Sequence, residues 1–147
     1  MTSVQPISAI ESEIVEEFSL FDDWMDRYAY LIDLGKSLED LPEEYKTEPF
    51  RVKGCQSNVW LRSWAEGDRV FFAADSDAMI TRGLVALLVR VLSGQPATEI
   101  VDAPLDFVDE IGLRKHLSTN RSNGLSAMIA RMKRMASVAI QPADESI

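Results

Sequence analysis

QSNVWLRSWAEGDRVFFAA, residues 56–74, decides the fold. Residues 56–65 are rich in Val, Trp and Leu, and an extended chain places Trp60, Arg62 and Trp64 on one side. Glu66-Gly67-Asp68 is a turn signal, and residues 69–74 read as a second strand, so the two form an antiparallel hairpin. Residues 50–52 are a candidate short third strand.

Outward from the hairpin the apolar period changes to that of helices. Upstream, residues 10–20 are a candidate helix. A second helix is capped by Asp22 or Asp23, carries Trp24, Tyr28, Leu31 and Ile32 at helical spacing, and has Gly35 as its expected stop. Residues 39–49 contain two prolines and read as a loop. Downstream, Asp75-Ser76-Asp77 is expected to open a helix, with Asp75 or Ser76 as cap and Asp77 in the first turn. Ile80, Leu84, Leu87, Leu88 and Val91 make that helix the most apolar element and the expected centre of the core; Gly94 and Pro96 end it. Residues 96–101 suit a short helix, 106–117 an irregular one, and 122–139 a last helix with Leu125, Met128, Ile129 and Met132 on one face. The tail, residues 141–147, is expected to fray. The expected class is α+β: helices packed on a small antiparallel sheet, in one domain spanning residues 1–147.

Composition narrows the function. The 147 residues are 46% hydrophobic and 27% charged, enough to build a packed core. A net charge of -9 disfavours nucleic-acid binding, which needs clustered Lys and Arg against phosphate. The charge is uneven: residues 1–50 hold 13 acidic and 3 basic side chains, residues 111–147 hold 2 and 6. No apolar run reaches membrane length, and the N-terminus lacks the pattern of an export signal. A single cysteine without such a signal leads to the expectation of a reducing cytosol.

That cysteine, Cys55, is the main candidate for chemistry. A free cysteine is commonly a small buried hydrophobe. Gly54 before it and the polar Gln56-Ser57 pair after it suit a loop tip or strand entrance better. Lys53 or Arg51 would favour its thiolate. His116, the only histidine, leaves a Cys–His pair open, although no third orienting residue is identifiable. One Cys and one His fall short of a zinc site, and no phosphate loop or dinucleotide glycine pattern is present. Asp75 and Asp77 are an acid–base pair or, more economically, capping residues. Arg121, in Asn120-Arg121-Ser122-Asn123-Gly124, sits in an expected polar loop and is placed to grip a partner's carboxylate.

Three blocks, taken in order, resemble the SufE family of sulfur acceptors. Gly54-Cys55-Gln56-Ser57 with Val59-Trp60 resembles its G-C-Q-S-x-V-W signature. Asp75-Ser76-Asp77-Ala78 leading to Gly83-Leu84 is similar to its D-S-D-A segment. His116-Leu117-Ser118 with Arg121 and Gly124-Leu125 resembles H-L-[ST]-x-x-R-x-x-G-L. Tyr30 to Gly35 also fits the family's first long helix, and the likeness covers about residues 14–137. The resemblance implies the fold of the iron–sulfur scaffold IscU. It further implies a partner cysteine desulfurase of the SufS or CsdA type, which carries the pyridoxal phosphate, whereas this chain would hold no cofactor of its own. Cys55 would accept the desulfurase's persulfide sulfur, stimulate its turnover, and pass the sulfur to a scaffold such as SufBCD. Gly54, Gln56, Ser57, Asp77, His116 and Arg121 would face the partner. Two other classes stay open on the residues alone: a hydrolase or thiol peroxidase with Cys55 as nucleophile, and a non-catalytic interaction domain.

Overall fold

The computed structural model describes residues 5–140. Its order is helix α1 (Ile7–Ser19), α2 (Trp24–Lys36), two 3-10 turns (Glu43–Tyr45 and Glu48–Phe50), strands β1 (Val59–Glu66) and β2 (Arg69–Ser76), α3 (Met79–Leu92), β3 (Gln95–Pro96), α4 (Ala97–Asp102), α5 (Phe107–Glu110), α6 (Leu113–His116) and α7 (Thr119–Ile140). The class is α+β, with the helices packed on an antiparallel sheet of order β1-β2-β3.

The hairpin forms in the register its sequence dictates, from Glu66↔Arg69 at the turn to Val59↔Ser76 at the open end. Gly67 adopts φ +63 at the first position of the two-residue turn, a conformation that costs an L side chain and costs glycine little. Alternation sends Val59, Leu61, Val70, Phe72 and Ala74 into the core. On the other face Arg62 stacks over Trp64 and Tyr45, 4.6 and 4.3 Å from the ring centres. The third strand is not residues 50–52. Arg51 makes only an isolated bridge to Trp60, and β3 pairs with β2 through Arg69↔Pro96 and Val70↔Gln95.

Helix α3 is the core helix, with Leu84, Leu87, Leu88 and Val91 all buried. Helix α1 lays Ile7, Ile10, Ile14 and Phe18 against the same core, a stripe at helical spacing. Asp23 caps α2 by accepting the Asp26 N–H at 2.9 Å. Gly35 is not the stop of α2; the helix continues to Lys36 and ends at Ser37. Gly35 is instead half of a backbone-to-backbone crossing with α3. A Cβ at Gly35 would lie 2.9 Å from the Gly83 nitrogen, and one at Gly83 would overlap the Leu31 carbonyl. The expected tail, residues 141–147, lies outside the described residues.

The helix opening expected at Asp75 is displaced. Asp75 and Ser76 belong to β2, and α3 begins at Met79 with Ala78 in the cap position. Asp75 is buried and is held by Lys46 and Arg82, each at 3.2 Å. Long-range ion pairing therefore replaces capping as its role, which also removes it from any acid–base pair with Asp77. Helix α7 starts at Thr119, three residues earlier than the pattern predicts, so Arg121 stands in its first turn and not in a loop. Arg90 bridges α3 to Glu13 and Glu17 of α1 at 3.4 and 2.7 Å. The Arg90 bond holds the Glu17 carboxyl below its usual range.

Candidate functional site around Cys55

Cys55 lies on a loop whose base is closed by a hydrogen bond from Val52 N–H to Val59 C=O at 2.8 Å. Several polar bonds pin that base. Arg51 Nε donates to Asn58 Oδ1 at 3.1 Å. Asn58 donates its backbone N–H and its side-chain amide to the Asp77 carboxylate, at 3.1 and 2.9 Å. The Ser76 hydroxyl donates to the Asn58 carbonyl at 2.8 Å. From the opposite side, Arg131 of α7 donates to the carbonyls of Arg51 and Pro49, both at 3.2 Å.

The tip is held more lightly. The Asn120 amide donates to Gln56 Oε1 at 2.8 Å, and the Cys55 thiol points at the Gly124 carbonyl, 3.6 Å away. Gly54 carries φ +94, so glycine here sets a fixed left-handed turn rather than general flexibility. A Cβ at Gly54 would also press on Ala127 at 3.2 Å. Gly124 is the other permissive position: its missing side chain leaves the space beside Sγ, where a Cβ would sit 3.4 Å from the sulfur.

Cys55 is half-buried and opens on a cavity of about 190 Å³. Gln56, Ser57 and Arg121 line it, as expected residues of the site. Thr81, Ser118 and Asn120 line it too, and sequence reasoning missed all three as site residues. Ser118 and Asn120 fell inside the third block, Ser118 at a motif position and Asn120 at an unspecified one, while Thr81 gave no signal beyond a polar residue on an apolar helix. Burial pushes the Cys55 thiol above its ordinary value, and the Arg51 charge pulls back against it without prevailing. Of the two nearby cations the sequence suggested, Arg51 is the one that acts on the thiol.

Asp77 and His116 do not line the cavity. Asp77 braces the loop base through Asn58. His116 stacks on Trp24, with ring centres 4.1 Å apart, and its Nδ1 pairs with the Gly112 carbonyl at 3.0 Å. The Cys–His pair left open by the sequence is therefore not assembled here. Among the described residues, no group of three or more Cys, His, Asp or Glu is placed to hold a metal, and no helix is long and apolar enough to cross a membrane.

The chain matches the SufE family model, described as an Fe-S metabolism associated domain, over residues 12–136. It is 46% identical to an uncharacterized SufE-like protein of Rhizobium meliloti (strain 1021), over 82% of this chain and 90% of that one. It is 42% identical to the sulfur acceptor protein CsdE of Escherichia coli (strain K12), over 76% of this chain and 77% of that one. The solution structure of a hypothetical protein from Thermus thermophilus shares the fold, with a TM-score of 0.73 at 21% identity over 89% of this chain and 96% of that one. Family match and relatives agree: this chain belongs to the SufE family.

Proposed function

We propose that this chain is a sulfur acceptor that takes sulfane sulfur from a cysteine desulfurase onto Cys55, stimulates that desulfurase, and relays the sulfur to iron–sulfur cluster assembly in the cytosol, with a scaffold such as SufBCD downstream. The observation that carries the reading is the chain's only thiol, half-buried on a lightly held loop tip beside a polar cavity.

The chemistry is thiol–persulfide exchange. The Cys55 thiolate attacks the terminal sulfur of the donor's cysteine persulfide; the new S–S bond forms as the donor's S–S bond breaks, and the donor cysteine leaves as thiolate. No oxidant is consumed. In the resting protein burial favours the neutral thiol, which protects it from oxidation. Docking therefore has to bring Cys55 out, breaking the Asn120–Gln56 bond and the weak contact to the Gly124 carbonyl while the pinned base stays in place. With no second cysteine in the chain, the persulfide cannot be resolved internally to a disulfide with loss of sulfide. Arg121, Gln56 and Ser57 at the cavity face the incoming donor, with Gly54 setting the turn that presents Cys55; Asp77 and His116 act further out.

A hydrolase would need a base within hydrogen-bond reach of the sulfur. The histidine is engaged with Trp24 and Gly112, and among the described residues no carboxylate lines the cavity. The test is incubation with a cysteine desulfurase and cysteine, followed by intact mass spectrometry. A gain of one sulfur, removed by reductant, is expected in wild type and not in Cys55→Ser. Undiminished gain in Cys55→Ser overturns the assignment.

A further inference from the structure

We propose that the cavity beside Cys55 also binds a low-molecular-weight persulfide bearing a carboxylate, so that Cys55 accepts sulfur from a free small molecule as well as from a protein donor. The inference rests on the reading of Cys55 as a sulfur acceptor. It adds a substrate class that this reading does not require.

Two groups without partners point to a ligand. Thr81 is only 6% exposed and lines the cavity. Its hydroxyl makes no hydrogen bond to any described residue. Among the described residues no fully enclosed side-chain oxygen or nitrogen lacks a partner, so the Thr81 hydroxyl is open, and the space it opens on is the cavity. Solvent or a ligand atom can therefore take the hydrogen bond that this open hydroxyl leaves unmade within the protein. Arg121 stands at the exposed rim of the same cavity. Its backbone N–H is bonded to the Ser118 hydroxyl, while its guanidinium pairs with no carboxylate among the described residues. The cavity thus has a direction: a buried hydroxyl and the Cys55 sulfur inside, a free guanidinium at the mouth. A molecule with a sulfur end and a carboxylate end matches both.

Size selects further. At ~30 Å³ per water, the cavity holds the equivalent of about six waters, or a ligand of roughly eight heavy atoms. Pockets for drug-sized ligands begin at about 300 Å³. An amino-acid persulfide matches that volume with its sulfurs against Cys55 and Thr81; a tripeptide persulfide has to leave most of its atoms outside the mouth. In the reaction the Cys55 thiolate attacks the outer sulfur of R–S–SH. The R–S to sulfur bond breaks, R–S⁻ leaves and takes up the proton that Cys55 released, and the sulfane sulfur ends on Cys55 as a persulfide. The carboxylate held by Arg121 directs the outer sulfur inward and so disfavours attack on the inner one.

The experiment follows Cys55 loading by intact mass, with freshly prepared cysteine persulfide or glutathione persulfide and no desulfurase. Each rate is scaled to the same donor's reaction with a free small thiol. Expected is saturable loading by cysteine persulfide, at least tenfold faster after scaling than by glutathione persulfide. Thr81→Val should lower it about tenfold and Thr81→Ser should keep it. Arg121→Ala should raise the half-saturating concentration of cysteine persulfide severalfold more than that of carboxylate-free ethyl persulfide, and the exposed Arg134→Ala should alter neither. Linear concentration dependence with equal scaled rates for the two donors overturns the proposal, as does wild-type loading in both Thr81→Val and Arg121→Ala. A parallel arm uses a desulfurase and cysteine: loading there but not from the small persulfide refutes this inference alone, and loading in neither removes the acceptor reading with it.

Discussion

Two glycines in the middle of helices should respond to the same substitution with opposite sign. In a helix interior alanine is favoured over glycine by about 1 kcal/mol. At Gly124 the new Cβ meets Cys55 Sγ at 3.4 Å and the Cys55 Cα and Cβ at 3.8 Å, the edge of ordinary contact. Nothing offsets the propensity gain, so Gly124→Ala should stabilise the fold by about 0.5–1 kcal/mol, raising Tm by roughly 2–4 °C in a chain of this size. At Gly83 the Cβ would overlap the Leu31 carbonyl and lie 2.7 Å from its carbon, which only separation of α2 from α3 relieves. Overpacking of about 3 kcal/mol less about 1 kcal/mol of propensity leaves Gly83→Ala destabilised by about 2 kcal/mol, a fall of roughly 6–8 °C. The stabilised variant should nonetheless work less well. The added methyl takes about 30 Å³, one water's share, from a cavity of about 190 Å³ and packs directly on the acceptor sulfur. We expect sulfur loading from a desulfurase to slow about tenfold, or about 1.4 kcal/mol. Thermal denaturation by circular dichroism and loading by intact mass measure the two effects. A lowered Tm in Gly124→Ala, wild-type loading in that variant, or a raised Tm in Gly83→Ala would refute the reasoning.

Other outcomes follow from the same geometry. If Arg121 bonds a desulfurase carboxylate, Arg121→Ala should lose about 1.5–3 kcal/mol of binding, some ten- to hundredfold, with a parallel loss of stimulation; isothermal titration against Arg134→Ala tests this, and unchanged binding removes Arg121 from the interface. Iodoacetamide alkylation of Cys55 should show a pH midpoint above the free-thiol value of about 8.5, moved higher by Arg51→Ala. The sign follows from burial: the neutral thiol's contribution to stability is complete below the unfolded-state value and is lost as pH rises through the folded one. A midpoint at or below that of a free thiol contradicts the buried resting state. Asp75→Ala should cost about 2 kcal/mol, since it removes the buried carboxylate shared by Lys46 and Arg82, which keep Glu43, Asp40 and the Gly35 and Leu38 carbonyls as partners; urea denaturation with an unchanged midpoint would contradict that.

What the sequence made legible was the part of the fold governed by neighbours along the chain. The hairpin was readable because strand alternation, the glycine of its turn and the aromatic face all lie within residues 56–74. Helix α3 was readable from its own apolar period. The misplacements share one cause, partners distant in sequence. Gly35 looks like a stop when read locally and becomes a crossing point only once Gly83 is packed against it. Asp75 looks like a cap until Lys46 and Arg82 converge on it. Strand β3, Gln95–Pro96, is too short to have a period and exists because β2 offers it an edge.

The candidate site divides in the same way. Gly54, Cys55, Gln56 and Ser57 are contiguous, so their place on one loop was readable, and Arg121 reaches that loop because α7 runs alongside it. His116 was grouped with the site by its motif block, yet Trp24 claims its ring. Asp77 was grouped likewise and acts one step removed: it holds Asn58, Asn58 orients Arg51, and Arg51 is the charge that tempers the Cys55 thiol. That chain of contacts gives the second motif block a physical reason to accompany the first. The carboxylate of one fixes the loop base of the other.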